Sequence, residues 1–186
     1  YREVNGQAIL RRAAEVAAAG MHGLLLTGSA GTGKTMIAKR IPTILPGLTR
    51  EEDIEISRIY SICGLLPAGR PLLSERPFRS PHHTITSRAL AGGGVPPRPG
   101  ELSLASGGVL FLDELPHFSP FAVEILRQPL EERKITVTRV SGNYEFPADF
   151  MMVAAMNLCP CGFYPDRNRC NCSENQIRRY LGHISR

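Results

Sequence analysis

The sequence predicts an α/β fold, in which short buried strands alternate with helices. Three segments carry this prediction, because each is short, apolar and typical of a strand buried on both faces: residues 23–27, 109–112 and 150–155. A glycine-rich loop beginning at Gly28 follows the first strand, and the carboxylates Asp113 and Glu114 follow the second. Asn157 lies just beyond the third. Polar side chains are therefore expected at the C-terminal ends of two of these strands.

The N-terminal third of the chain is predicted to be mainly helical. A helix over about residues 7–19 is rich in alanine, with Asn5 as its N-cap and Gly20 as its stop. A second helix begins at the end of the glycine-rich loop and runs to about Arg40, because Pro42 limits it. Helix, strand, loop and helix thus follow one another in this order.

A third helix opens on a capping-box pattern, with Thr49 followed three residues later by Glu52. It is expected to run to about residue 62, with Ile56, Ile59 and Cys63 on one face. Residues 65–100 are dense in proline, glycine, serine and arginine, so we predict a long functional excursion with short strands near Phe78 and Thr84.

The C-terminal half is predicted to hold two more helices and a hairpin. Residues 118–132 are expected to be helical, with Phe121, Ile125 and Leu126 on the apolar side and Pro129 shortening or bending the helix. Residues 135–140 and 144–146 flank a turn and predict a hairpin. A final basic helix over about residues 173–181 can be capped by Ser173.

The composition is that of one globular domain. The chain has 186 residues, 42% hydrophobic and 21% charged, which argues against disorder, collagen-like sequence or a coiled coil. We expect a single domain over residues 1–186. No segment approaches the roughly 18 apolar residues of a membrane helix, and the first residues lack the apolar region of a signal peptide. The expected location is the cytoplasm, without a membrane partner.

The glycine-rich loop matches the pattern G-x-x-x-x-G-K-[ST], which holds the phosphates of a nucleotide with backbone N–H groups. Lys34 is expected to reach the β and γ phosphates, and the Thr35 hydroxyl to ligate Mg²⁺. The predicted ATP-binding residues are Gly28, Ser29, Ala30, Gly31, Thr32, Gly33, Lys34, Thr35 and Met36. A chance glycine-rich turn is the alternative, but the strand before and the helix after the loop argue against it.

Asp113 and Glu114 are predicted to complete an ATPase site. Asp113 would contact the Mg²⁺ shell, Glu114 would take a proton from the attacking water, and Asn157 would orient that water or sense the γ phosphate. The alternatives are an ordinary polar strand end for the two carboxylates and a turn-forming residue for Asn157. The predicted catalytic residues are Glu114, Lys34 and Asn157.

Four of the five cysteines have the spacing C-x-C-x8-C-x-C: Cys159, Cys161, Cys170 and Cys172. Four thiolates can close a tetrahedral structural Zn²⁺ site, although C-x2-C spacing is commoner in zinc fingers. The alternative is four reduced thiols in a surface loop. The fifth cysteine, Cys63, lies in an apolar run and is expected in the core.

The net charge is +5, and part of it is concentrated in one segment. Between residues 70 and 98 the single acid, Glu75, is outnumbered by five arginines: Arg70, Arg76, Arg79, Arg88 and Arg98. One hypothesis is that the segment contacts a nucleic-acid backbone without base preference; the alternative is a solvated or subunit-contacting loop. The candidate contacts are Arg76, Arg79, His82, His83 and Arg88. His82 and His83 as metal ligands are less favoured, because no carboxylate cluster accompanies them in the sequence.

Several motifs together resemble one known family. They are AAAGMHGLLLTGSAGTGKTMIAKR, LTREE, ERPFRSPHHT, LAGGG, RPGELSLASGGVLFLDELPHFSP, LRQPLEE, VAAMN and CPCGFYPD. Over essentially the whole chain they resemble the magnesium-chelatase-like AAA+ ATPases of the ComM/YifB type. Where relatives usually have Asn-Pro-Cys-Pro-Cys, this chain has Asn157-Leu158-Cys159-Pro160-Cys161, so the geometry of that loop is expected to differ somewhat.

The resemblance implies a three-layer αβα AAA+ core with a parallel sheet, a helix-2 insert over residues 65–100 and a pre-sensor-1 hairpin over residues 135–146. It also implies a ring, usually a hexamer, that hydrolyses ATP at subunit interfaces and, in ComM-type members, remodels DNA by branch migration. Val4 and Gln7 are implied near the adenine. The Cys-rich loop covers residues 157–173.

The resemblance further suggests that the sequence is a piece of a longer protein. It stops at Arg186, before the expected trans-acting arginine, the helical lid and its sensor 2 arginine. Without an arginine finger, which is worth about 10³–10⁵ in rate, slow turnover is expected. Two other functions stay open: an ATPase subunit that drives metal insertion into a tetrapyrrole, and a nucleotide-gated regulatory module.

Overall fold

Eight strands and eight α-helices make up the fold in the computed structural model, which describes residues 7–69, 71–140 and 142–182. The strands are β1 (Leu24–Thr27), β2 (Phe78–Arg79), β3 (Gly92–Gly93), β4 (Arg98–Pro99), β5 (Val109–Leu112), β6 (Lys134–Arg139), β7 (Gly142–Pro147) and β8 (Met151–Met156). The helices are α1 (Ala8–Ala19), α2 (Lys34–Ala38), α3 (Arg50–Ile62), α4 (Ser87–Ala91), α5 (Glu101–Leu104), α6 (Pro120–Ile125), α7 (Arg127–Glu132) and α8 (Glu174–Leu181).

Four strands form a parallel sheet in the order β1-β8-β5-β2, which confirms the predicted α/β class. The central strand β5 is buried along its whole length. Val109 and Phe111 pack with α1 and α2 on one face of the sheet, whereas Leu110 and Leu112 pack with α4, α5 and α6 on the other. Because successive side chains point to opposite faces, an all-apolar strand must be covered twice. The result is a three-layer αβα arrangement.

The predicted helices of the N-terminal third are confirmed, with small shifts at their ends. Gln7 occupies the N-cap position of α1, while Asn5, the predicted cap, lies outside the described residues. The α2 helix is shorter than predicted, because the chain passes into a 3₁₀ turn at Ile41–Thr43. The capping box of α3 is formed, with the Thr49 N–H donating to the Glu52 carboxylate at 2.7 Å. Cys63 is only half-buried, so it is not a core residue.

The excursion over residues 65–100 is partly integrated into the sheet. The strand predicted near Phe78 is formed and is the edge strand β2, with the Phe78 ring stacked on Phe111 at 5.9 Å. The strand predicted near Thr84 is wrong, since this stretch turns into α4 and the Thr86 hydroxyl caps that helix at Ala89. After α4, strands β3 and β4 form a small antiparallel hairpin.

The helix predicted over residues 118–132 is divided into α6 and α7 at Leu126. Pro129 has no N–H to donate to the carbonyl four residues earlier, which accounts for the break. Phe121 was predicted on the apolar side, but it is 65% exposed. Leu126 is buried as predicted, together with Ala122 four residues earlier, and Ile125 is partly buried against the same cluster.

The remaining predictions for the C-terminal part are confirmed. Strands β6 and β7 pair along their full length as an antiparallel hairpin. Ser173 caps α8 in a second capping box with Gln176. In the part of the chain that is described, no helix has the length and apolar character to cross a membrane.

Candidate active site

The loop after β1 and the start of α2 surround a cavity of about 400 Å³. Residues 30–36 line one wall, and the other wall holds Asp113, Glu114 and Asn157. Gly31 and Gly33 have φ values of 79° and 83°, in the left-handed region that favours glycine. These turns direct the loop backbone around the cavity. The predicted phosphate-binding residues and predicted catalytic residues therefore meet at one site.

The sheet order explains this meeting. The C-terminal end of β1 lies beside that of β8, with Thr27 opposite Met156, and β8 lies beside β5. Parallel neighbours end at the same edge of a sheet. The phosphate loop, Asn157 and Asp113 are brought together although they are far apart in sequence.

Lys34 is held over the loop by three acceptors. Its Nζ donates to the carbonyls of Gly28 at 2.9 Å and Ser29 at 2.8 Å, and to Asn157 Oδ1 at 3.2 Å. Burial lowers the pKa of Lys34, although the nearby Asp113 carboxylate opposes this shift. The ammonium therefore lies among oxygen acceptors at the floor of the cavity, where phosphate oxygens can replace them.

Thr35 and Asp113 form the group suited to Mg²⁺. The Thr35 hydroxyl donates to Asp113 Oδ2 at 2.8 Å, and Asp113 Oδ1 accepts from the Glu114 N–H at 3.0 Å. Hydroxyl and carboxylate oxygens are the ligands that Mg²⁺ prefers, usually with water and phosphate oxygens completing the shell. The donor set therefore fits the predicted ion.

Glu114 has an unusual backbone and two histidine neighbours. Its φ is 55°, a left-handed conformation that is costly for a non-glycine residue and typical of functional sites. Its Oε2 lies 3.3 Å from His117 Nδ1 and 3.7 Å from His83 Nδ1. The sequence shows no carboxylate cluster beside His82 and His83, whereas the structure brings ligand atoms of His83, Glu114 and His117 within 4.8 Å of one another. His82 instead hydrogen-bonds Thr84 at 2.9 Å.

The structure describes one of the two residues that the resemblance implies near the adenine. Gln7 Nε2 donates to the Thr32 carbonyl at 2.8 Å, so it contacts the phosphate loop. Val4 lies outside the described residues.

The four cysteines of the Cys-rich loop converge. Three sulfur pairs lie 3.4 to 3.7 Å apart, and all four Sγ atoms lie within 4.8 Å of one another. Hydrogen bonds with the Phe163 N–H and with the three other cysteines together lower the pKa of the Cys161 thiol to about 6. The loop touches the active site, since the Ala30 N–H donates to the Gly162 carbonyl at 3.1 Å.

Two of the predicted nucleic-acid contacts have structural partners within the domain. The Arg76 side chain is only 8% exposed and donates to the carbonyls of Pro46 and Gly107 and to the Glu52 carboxylate. Arg79 forms a two-bond ion pair with Glu101, at 2.6 and 2.7 Å. These guanidinium groups are occupied inside the fold, which argues against Arg76 and Arg79 as contacts for DNA.

Arg88 is exposed on α4. A second arginine, Arg139, which the sequence did not single out, lies near it. A Cβ added to Gly93 would lie 2.7 Å from a guanidinium nitrogen of Arg139 and 3.1 Å from Arg88 Cγ. The two arginines therefore flank the β3–β4 hairpin. Arg139 comes from the tip of the β6–β7 hairpin, so only the three-dimensional fold could reveal the pair.

Sequence reasoning also missed three residues around the site: His117, Gly162 and Tyr180. His117 follows Glu114 by three residues, a spacing that could have been noticed. Tyr180 is buried on α8, and its ring lies 6.0 Å from that of His117. Burial and the nearby Glu114 charge raise the pKa of Tyr180. Gly162 and Tyr180 reach the site through the folding of the Cys-rich loop, which no local pattern foretells.

Comparison with known proteins decides the family. The whole chain, residues 1–186, matches the family described as magnesium chelatase, subunit ChlI. The chain belongs to the magnesium-chelatase-like AAA+ ATPases. It is 45% identical over 183 residues to the competence protein ComM of Haemophilus influenzae, which covers 98% of this chain and 36% of ComM. This AAA+ core spans about a third of the length of ComM and of the YifB proteins of Salmonella typhimurium and Escherichia coli, to which it is also 45% identical.

Solved structures share the fold of this AAA+ core. NtrX from Brucella abortus in complex with ADP has a TM-score of 0.56 at 20% identity, covering 96% of this chain and 35% of NtrX. The BchI–BchD complex of magnesium chelatase has a TM-score of 0.59 at 20% identity, covering 96% of this chain and 61% of the other. The predicted AAA+ fold is therefore confirmed.

Proposed function

We propose that this AAA+ core binds ATP with Mg²⁺ and hydrolyses it, as the motor of a ring that remodels DNA. The observation that carries the proposal is the 2.8 Å hydrogen bond between Thr35 and Asp113, with Glu114 directly beyond it. It joins the end of the phosphate loop to the end of β5, so that phosphate, metal and base share one cavity. Bound Mg²⁺ supplies charge neutralisation on the phosphate oxygens.

The chain's own residues divide the remaining work. The loop N–H groups and Lys34 hold the phosphates, and Thr35 and Asp113 hold the ion. Glu114 accepts the proton of the attacking water, and Asn157, which contacts Lys34, orients that water near the γ phosphate.

Glu114→Gln tests this assignment. The amide keeps the size of the side chain but cannot accept the proton, so turnover is expected to fall about 10²–10⁴-fold. Affinity for ATP, measured with a fluorescent analogue, should stay within about threefold of the original, because the phosphate loop is untouched. Hydrolysis at the unchanged rate in the variant would overturn the role of Glu114.

We further propose that the active site is completed in a ring, as a hexamer of this chain. An exposed cavity open on one side, with Glu114 at its rim, suits a neighbour that adds the second half of the site. The resemblance of the fold to the BchI–BchD assembly supports oligomerisation. Light scattering of the full-length protein with and without ATP tests this, since a mass that stays that of one subunit in both states contradicts it.

DNA is the partner we propose for the ring. ComM-type relatives share 45% identity with this chain, against 20% for the chelatase complex, which favours a DNA motor over metal insertion into a tetrapyrrole. Arg88, Arg98 and Arg139 are exposed on or beside the β3–β4 and β6–β7 hairpins. Val95 and Val140 are fully exposed at the two hairpin tips. Exposed arginines beside a backbone give affinity without base preference. A DNA partner also implies a cytoplasmic location.

A salt titration of DNA binding tests this interface. Each arginine that neutralises a phosphate adds roughly one unit to the salt slope of log affinity. The Arg88→Ala and Arg139→Ala double variant should lower the slope by about two units. The matched control is Arg12→Ala with Arg127→Ala, which removes the same charge from exposed helices α1 and α7. If both double variants lower the salt slope equally, net charge alone accounts for the effect, which would contradict the proposed interface.

We propose Zn²⁺ for the four-cysteine site. In a tetrahedral site with metal–sulfur bonds of about 2.3 Å, neighbouring sulfur atoms are one tetrahedron edge apart. The cysteine sulfurs lie at about that separation, so they are a suitable donor set. Cys159 and Cys170 are buried, whereas Cys161 is exposed, so the ion would be shielded from water on one side. Mass spectrometry of metals in protein purified without chelator should find about one zinc per chain. The Cys159→Ser and Cys170→Ser variant should contain none, and metal-free wild-type protein would contradict the proposal.

A further inference from the structure

The Cys-rich loop lies on the nucleotide site at two places. Gly162, between the second and third cysteines, accepts a hydrogen bond from the Ala30 N–H of the phosphate loop at 3.1 Å. A Cβ on Gly162 would lie 3.3 Å from Ala30 Cβ and 3.6 Å from Asn157 Nδ2. The φ of Gly162 is 80°, which favours glycine. The loop backbone therefore rests against both the phosphate loop and the predicted sensor.

The metal site and Asn157 are also adjacent along the chain. Only Leu158 separates Asn157 from Cys159, whose side chain is completely buried. The Cys159 sulfur accepts from the Tyr164 N–H at 3.3 Å, and the Cys159 carbonyl accepts from the Gly162 N–H at 3.1 Å. Movement of Cys159 would therefore displace both Asn157 and Gly162.

Helix α8 forms a third connection. It begins directly after Cys172, and its buried residue Ile177 packs with Cys159 and Cys170. One turn later, Tyr180 contacts the edge of His117, which in turn lies beside Glu114. Helix α8 therefore connects the cysteine cluster, through Ile177, with the surroundings of the proposed base, through Tyr180.

Turns at Asp166 and the packing of Arg167 and Arg169 on Tyr164 and Phe163 hold the surface of this loop, and the cysteine cluster forms its buried part. Residues 159–172 contain turns but neither helix nor strand. The buried apolar cluster consists of Cys159, Cys170 and Ile177, with a few partly buried neighbours. So small a core is usually stabilised by a metal or disulfide.

From these contacts we infer that the metal in the four-cysteine site controls nucleotide affinity, by holding Gly162 on the phosphate loop and Asn157 beside Lys34. This inference rests on the proposed zinc site. The bound zinc is then required for tight binding of ATP as well as for the stability of the loop. Loss of the ion releases the Gly162 carbonyl from Ala30 and leaves the phosphate loop less ordered before ATP binds.

Affinity for a non-hydrolysable fluorescent ATP analogue, measured in the full chain alongside zinc content, tests the inference. The Cys159→Ser and Cys170→Ser variant, without zinc, should bind the analogue about five- to tenfold more weakly, the effect of losing roughly one ordering hydrogen bond. Cys63→Ser is the matched control, because Cys63 is outside the cluster and its loss should change neither zinc content nor affinity.

Gly162→Ala keeps all four thiols. It therefore tests the contact between Gly162 and the phosphate loop without removing a zinc ligand. It should retain one zinc per chain and yet bind the analogue more weakly, because its Cβ crowds Ala30 and its φ is unfavourable. Zinc present in the wild type, with unchanged analogue affinity in both the serine variant and Gly162→Ala, overturns the inference but leaves the zinc site intact. Absence of zinc from the wild-type protein would contradict the proposed zinc site and therefore also this inference.

Discussion

The imidazole of His117 lies 3.3 Å from the carboxylate of Glu114, and His83 approaches the same oxygen at 3.7 Å. The two rings are 5.5 Å apart in an edge arrangement. Glu114 itself is half-exposed and has a strained backbone, so it needs side-chain neighbours to fix its carboxylate. We infer that these histidines are positioning residues for the base.

His117→Ala and His83→Ala should therefore each lower kcat about tenfold or more, because small displacements of a catalytic group cost rate. The KM for ATP should change little, since neither ring contacts the phosphate loop. His82→Ala is the control within the same loop. Its ring bonds Thr84 and packs on His83 at 4.0 Å but does not contact Glu114, so a smaller loss of kcat is expected. Steady-state ATPase assays measure the three variants side by side. An equal kcat loss in the control would attribute the effect to the loop and not to the contact with Glu114.

The Thr35 hydroxyl is predicted to matter mainly through Mg²⁺. Thr35→Ala removes both an ion ligand and the donor to Asp113, whereas Thr35→Ser keeps the hydroxyl. The alanine variant should need about tenfold more Mg²⁺ for half-maximal ATPase activity, and the serine variant about the normal amount. A magnesium titration at saturating ATP measures this. If both variants need the same Mg²⁺ concentration as the wild type, the hydroxyl is not a ligand.

Local features of this fold were predictable because they depend on residues close in sequence. The capping box at Thr49, the cap at Ser173, the turn of the phosphate loop and the strand that ends at Asp113 all formed as expected. Each is fixed by spacing, by hydrogen bonds over three or four residues or by an apolar run. These are the signals that a sequence contains directly.

The features that failed depend on distant partners. Arg76 stands in a basic segment, yet its acceptors are carbonyls about 30 residues away on either side. Phe121 lies in an apolar stretch, but α6 packs on the sheet through its neighbour Ala122, so Phe121 faces solvent. Thr84 has neighbours typical of a strand, but the chain turns there and then enters α4. Charge and hydropathy show what a residue can do, and only the topology determines which partner it meets.

Arg76 is predicted to be a stability residue. Arg76→Ala leaves the Pro46 and Gly107 carbonyls without their donor and Glu52 without its partner, so it should lower the free energy of unfolding by about 2–3 kcal/mol. Arg88→Ala, which removes the same charge from an exposed position, should change it by less than about 0.5 kcal/mol. Urea unfolding measures both. Equal effects would show that Arg76 has no special role in the fold.

The same contact predicts an acid dependence through Glu52. Burial opposes ionisation of this carboxyl, but the Thr49 N–H and the Arg76 guanidinium outweigh it and lower the pKa of Glu52. A lowered carboxyl pKa in the folded state contributes stability that is complete above the unfolded-state pKa of about 4.3 and is lost as the pH falls through the folded-state value.

Glu52→Gln removes that titration. The variant should be less stable than the wild type at pH 7, and the difference should narrow as the pH falls below about 4, where the wild-type carboxyl also becomes neutral. Urea unfolding at a series of pH values measures the difference directly, with Glu124→Gln, an exposed carboxyl on α6, as the control of equal charge. A difference that stays constant from pH 7 to about 3 would mean that Glu52 stabilises the fold through its shape and hydrogen bonds alone, without a contribution from its charge.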